Sequence, residues 1–389
     1  MEKKILAQEL KKMNNIYNRA NTKGKKKLVA EDLVSFEELY NRVYPFSNSK
    51  MIWSNDDDIY NIYTDMALSY KESFLENVLN DQEFYKNLSL NVLDAYDKTN
   101  FNFYRYNTPL AYLKRLSITD IIEMLNVFTK HLGKKYNDYF IKKYKDYEIF
   151  LIDSYDCDGE YQTLYAGMTT QIGKLGKNYI FLEEKFGMNL HLAQTLAHEF
   201  GHSVEMYINA KSSNTILEEI SYKTPYYEIS SCFFETAFLN YIKENKLYLD
   251  SVSICLDHNY KDIFAYFSIM LAILKIDDIK LNNGELTIQD EAALKCLDII
   301  KNTTNYHNLP SKGDSVSYVN TFIYALGRLA SIYMYEEFTK DKEKFMYEFD
   351  KSLSSYQSTE SLESFSSLGI SKENLLDNKI LSKTLVNHK

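Results

Sequence analysis

The chain has 389 residues, of which 45% are hydrophobic and 25% charged, enough to bury a large core. That composition indicates a globular rather than a disordered chain. A formal net charge of -9, with no basic run beyond Lys23–Lys27, speaks against nucleic acid as a partner, and that lysine run reads as a solvated loop.

With only 12 Gly and 4 Pro, helix-breaking chemistry is scarce, so long helices with few connections are expected. From Met1 to about Tyr144 the pattern is helical. Over Ile118–Leu132 the apolar residues Ile121, Ile122, Leu125, Val127 and Phe128 fall mainly on one face, and Ser117 with Asp120 three residues on supplies an N-terminal cap. Residues 1–145 form the predicted N-terminal helical lobe.

Residues 146–389 form the second region. The period changes over 146–183, where Glu148–Ile152, Tyr161–Tyr165 and Tyr179–Leu182 read as strands of a small antiparallel sheet. Helices resume after Asn189, over 190–240 and then 241–389, and the region is expected to form one compact unit. Its longest apolar run, Phe264–Leu274, is shorter than the ~20 residues of a spanning helix, so no membrane partner is expected. The four cysteines show no C-x-x-C spacing and the N-terminus has no apolar h-region, which leads to the expectation of a cytoplasmic protein with reduced thiols.

The segment His191–Ile208 has apolar residues at helical intervals and contains H-E-x-x-H. At about 100° per residue, His198 and His202 lie one turn apart on one face and can converge on a single ion. Glu199 points about 100° away from His198, where a carboxylate can act as general base without occupying the metal. His191 lies two turns from His198, about 10 Å along the axis, too far to share the ion.

A catalytic zinc site needs a third protein ligand and an open position for water. Glu228 follows His198 by 30 residues, far enough for the chain to turn and send back a second helix. It is the best placed of the available carboxylates; Glu218, Glu219 and Glu205 compete with it. Glu235, seven residues on and two turns along the same face, is assigned to orienting the ligands.

The segments AHEFGHSVEMY and YEISSCFFE together resemble the thimet oligopeptidase and oligoendopeptidase F family, whose pattern is H-E-[FL]-G-H followed by E-x-x-S-x-x-x-E. The likeness covers roughly Tyr161–Tyr335. It implies a mainly α fold, a zincin-like helical body with a small antiparallel β-sheet beside a substrate cleft. It also implies one Zn2+ held by His198, His202 and Glu228, with Glu199 activating water. Tyr324-Ala-Leu-Gly327 matches the family's Y-A-x-G, so Tyr324, with Tyr318 upstream, is expected to hold the oxyanion. The chain departs from the family in its shorter length and in lacking the His before those tyrosines, unless His307 supplies it.

The expected activity is zinc-dependent endopeptidase hydrolysis of short, unfolded peptides, which would add as a strand to the free edge of Tyr179–Leu182. A helical metallocarboxypeptidase and a peptide-binding member without catalysis are the alternatives. The intact Glu199 argues against the second, since a binder has no need of a base.

Overall fold

A computed structural model describes residues 80–99, 109–146, 148–152, 167–171, 178–183, 187–212, 226, 228–281, 315–355 and 362–388. The chain is mainly helical and divides into two compact units, neither continuous in sequence. One comprises residues 1–67 and 110–218, the other residues 68–109 and 219–389. The sequence-level division at 145 coincides with neither boundary, because the helices before it pack with the strands that follow.

In the first unit, α2 (Ile118–Leu132) begins with a reciprocal cap: Asp120 N donates to Ser117 Oγ at 3.1 Å, and Ser117 N to Asp120 Oδ2 at 2.9 Å. Both orphan donors are satisfied at once. These bonds hold the Asp120 carboxyl below its ordinary range. Ile121, Leu125, Phe128 and Leu132 are buried, while Val127 is exposed, so the apolar face is narrower than the sequence suggests. Next in the chain, α3 (Lys134–Lys145) buries Tyr136 and Phe140.

Strands β1 (Ile149–Ile152), β2 (Gly167–Gln171) and β3 (Asn178–Glu183) form a sheet in the order β1-β3-β2. The sheet is mixed rather than antiparallel: β1 pairs with β3 in parallel, Ile149 opposite Ile180, and β2 pairs with β3 antiparallel, Met168 opposite Phe181. The reason is topological, since β2 reverses direction between β1 and β3 and then lies outside them. The expected strand Tyr161–Tyr165 falls outside the described residues. Tyr179–Leu182 does belong to a strand, but that strand is central and paired on both sides, which corrects the expectation of a free edge there. Among the described residues β2 and β1 are the edges.

Asn178, Ile180 and Leu182 of β3 are buried, as the period of two requires for one covered face. Beneath the sheet Lys143 is fully buried, and its ammonium donates to Glu148 Oε2 at 3.1 Å and Asn178 O at 2.5 Å. A buried lysine is tolerable only with such partners.

The second unit comprises α1 (Gln82–Thr99), α5 (Ile229–Glu244), α6 (Leu249–Leu281), α7 (Ser315–Lys340), α8 (Lys342–Ser355), α9 (Lys372–Leu376) and α10 (Lys379–His388), with α4 (Leu190–Ser212) left to the first unit. Nearly the whole circumference of α5 is buried, from Ile229 to Ile242. Such a helix is a core helix rather than an amphipathic surface one. Phe233 meets Phe338, Phe345 and Phe349 at 4.9–5.7 Å between centroids, each ring contributing about 1.5–3 kcal/mol by burial. Helix α1 packs on α6 through Leu93 against Leu271 and Tyr96 against Phe264. On α10, His388 Nε2 meets Asp257 Oδ1 of α6 at 2.5 Å in a buried pair. Cys232 and Cys255 are buried thiols. Among the described residues no helix is long and apolar enough to cross a membrane.

Candidate metal centre

Helix α4 (Leu190–Ser212) starts at Asn189, whose Oδ1 accepts from His191 N at 2.9 Å and Leu192 N at 3.4 Å, as a cap does. Leu192, Ala193, Leu196, Ala197, Phe200 and Val204 are buried on it, and so are His198, Glu199 and His202. The i, i+4 spacing brings the two imidazoles to 5.0 Å between centroids with planes 81° apart. Each ring offers a nitrogen from a buried face, the arrangement that two ligands of one ion need.

Glu199 is turned toward the sheet. Thr169 Oγ1 of β2 lies 2.8 Å from Glu199 Oε2 and 2.8 Å from the Glu199 carbonyl oxygen, and donates to one or the other. The strand can come this close because residue 167 is glycine: a Cβ there would stand 2.6 Å from Thr195 Cγ2 and 2.9 Å from Glu199 Cγ. One turn beyond the base, Ser203 Oγ donates to Asn178 Oδ1 at 2.6 Å, and Asn178 Nδ2 donates back to Ser203 O at 3.2 Å. Tyr139 of α3 hydrogen-bonds Ser203 and stacks on Tyr207 at 4.2 Å between centroids. Burial pushes the Tyr139 phenol up, so it stays a neutral donor. These contacts fix the roll of α4, and with it the direction of His198 and His202.

In the other unit, Glu228 stands buried at the start of α5. Its carboxylate does not cap the helix; Oε2 instead accepts from Ser231 Oγ at 2.9 Å. Glu235 is buried and ion-paired with Arg328 of α7 at 3.4 Å, and Arg328 also bonds Asp262 of α6. Gly327 lets α7 lie against the first turn of α5: a Cβ there would be 2.8 Å from Glu228 O and 2.9 Å from Cys232 Sγ. Cys232 Sγ donates weakly to Tyr324 O at 3.9 Å, and the Tyr324 side chain is half-buried.

The structure thus sets His198, Glu199 and His202 together on α4, and Glu228, Glu235 and Tyr324 in one helical cluster of the second unit. Tyr318 lies in the first turns of α7 with its side chain outside the described residues; His307, Glu218 and Glu219 are outside them altogether. Glu205 is buried on α4. Sequence reading missed Thr169, Gly167, Arg328 and Asp262. Of these only Arg328 carried a signal, as the one charge within the apolar run Tyr324–Met334.

No family profile matches the chain, and no curated protein does. Solved structures do. A candidate peptidase from Chlamydophila abortus is similar at 14% identity and a TM-score of 0.51, over 99% of this chain and 63% of that one. PZ peptidase A, solved with an inhibitor, is similar at 13% identity and a TM-score of 0.50, over 98% and 65%. A candidate oligoendopeptidase F from Bacillus anthracis gives 14% and 0.49, over 96% and 60%, and at that score carries no weight here. The chain spans 60–65% of the length of these structures. By these likenesses the chain has the mainly helical fold of the Chlamydophila abortus protein and of PZ peptidase A.

Proposed function

We propose that the chain is a zinc-dependent endopeptidase acting on short, unfolded peptides. The observation that carries the reading is the buried pair His198 and His202, one turn apart, with Glu199 held off to the sheet side between them. Two buried imidazoles one turn apart and a buried carboxylate on the same helix are the parts of a hydrolytic metal helix. Two nitrogens with one carboxylate oxygen are a donor set that suits zinc. In this reading His198, His202 and Glu228 are the ligands, and Ser231 fixes which way the Glu228 oxygens point. Glu235, pinned by Arg328, keeps α5 in place beneath Glu228.

Zinc held there would supply Lewis acidity and lower the pKa of a water toward neutrality. Glu199 would take a proton from that water and pass it to the leaving amine. Tyr324 and Tyr318 donate to the oxyanion of the tetrahedral intermediate. The peptide is held extended along β2, the edge strand that lies on Glu199, by backbone hydrogen bonds that a folded protein cannot offer.

The test is hydrolysis of an unstructured fluorogenic peptide by the zinc-loaded chain, with and without chelator, beside Glu199→Gln. The variant should keep about one zinc per chain and lose hydrolysis. Cleavage indifferent to chelator, or at wild-type rate in Glu199→Gln, overturns the proposal.

A further inference from the structure

Three features converge on one residue of β2 to which neither the motifs nor the family likeness gives a role. Thr169 is buried, its hydroxyl lies 2.8 Å from Glu199 Oε2, and the strand bearing it is drawn onto α4 by the missing side chain of Gly167. Residues 167 and 169 share a face of the strand because side chains alternate with period two. The backbone therefore aims both the gap and the hydroxyl at the same carboxylate.

We infer that Thr169 is the positioning residue for Glu199, holding its carboxylate in place through Oε2. The inference rests on the peptidase reading above. A valine would fill the same volume on a strand and pack as well, so packing alone does not call for a hydroxyl there. A buried carboxylate, in contrast, costs free energy unless donors reach it. The hydroxyl has one hydrogen and two acceptors, Oε2 and the Glu199 carbonyl oxygen. Donation to Oε2 holds the carboxylate on the sheet side of α4.

A purely structural tie between β2 and α4 predicts something different, and two substitutions at Thr169 separate the two. Thr169→Val in the zinc-loaded chain should lower kcat about 10–100-fold, as loss of a group that orients a catalytic one does. KM, chelator-measured zinc affinity and Tm should change little, and Thr169→Ser should restore kcat. An unchanged kcat or a failure of Ser to rescue overturns the inference. A readout without turnover accompanies these: the side-chain carboxyl carbon of Glu199, assigned in NMR spectra by its loss in Glu199→Gln, should shift in Thr169→Val and return in Thr169→Ser. A resonance unmoved by Thr169→Val overturns the inference, whereas a chain that binds zinc, shows these shifts and cleaves no peptide overturns only the peptidase reading.

Discussion

Glu235 of α5 and Arg328 of α7 form an ion pair at 3.4 Å in which the carboxylate is 3% and the guanidinium 17% exposed. Because Asp262 of α6 takes the same guanidinium, one arginine neutralises two acids on two helices. Replacing it by methionine leaves Glu235 buried without its cation, and should cost about 3–5 kcal/mol in chemical denaturation. Adding Glu235→Gln should return part of that loss. A single-variant cost under about 1 kcal/mol would mean that the pair is neutral on balance.

Gly327→Ala poses two opposed effects. Alanine is the better helix former by about 1 kcal/mol, yet its Cβ would meet backbone rather than a pliable side chain. Since that Cβ would stand 2.8 Å from Glu228 O, the helices must part, at about 1–3 kcal/mol, and the clash wins. The variant should be less stable by denaturation and should bind zinc more weakly in chelator competition. A more stable Gly327→Ala would show that α5 and α7 yield without cost.

For Glu228→Ala the expected outcome is loss of zinc affinity together with rate. Glu218→Ala and Glu219→Ala should change neither. Ser231→Ala, which leaves the carboxylate in place but removes its 2.9 Å donor, should fall between, at about 10–100-fold in affinity. Full zinc retention by Glu228→Ala would move the ligand to another carboxylate.

Burial lowers the Lys261 ammonium from its ordinary 10.5 to about 8, against the opposing pull of Asp262. Between those two values the unfolded chain binds the proton more tightly than the folded one, so stability rises with pH across that window. The burial penalty is present in full below pH 8. Lys261→Met has no such proton, so the wild type should gain on the variant as pH rises from about 8 toward 10.5, read as denaturation midpoints. Parallel pH curves for the two chains would contradict this.

What could be read from sequence was what is local in sequence. The cap at Ser117 needs only Asp120 three residues on, and the face of α4 needs only the intervals between Leu192, Leu196, Phe200 and Val204. His198, Glu199 and His202 declare themselves for the same reason. The strand β2 did not, since Gly-Met-Thr-Thr-Gln has no alternating apolar pattern and owes its place to β3 and α4. Thr169 meets a partner 30 residues away and Arg328 one 66 residues away, distances at which no periodicity speaks. The pairing sense of β1 with β3 was likewise invisible, because the residues of a short apolar strand are the same for either direction.

The packing of α1 against α6 has a consequence for how the chain is made. When α1 has been synthesised, the helices that cover it have not: about 150 residues separate its end from the start of α6, including the whole described part of the other unit. At about 5–20 residues per second, α1 waits roughly 8–30 s with Leu88, Val92 and Leu93 uncovered. The first unit, which ends at residue 218, has its partners to hand sooner and can close in the meantime. During that interval the nascent chain presents a sticky helix, the state in which a ribosome-associated holdase would matter most and in which pairing between neighbouring polysomal chains would do most harm.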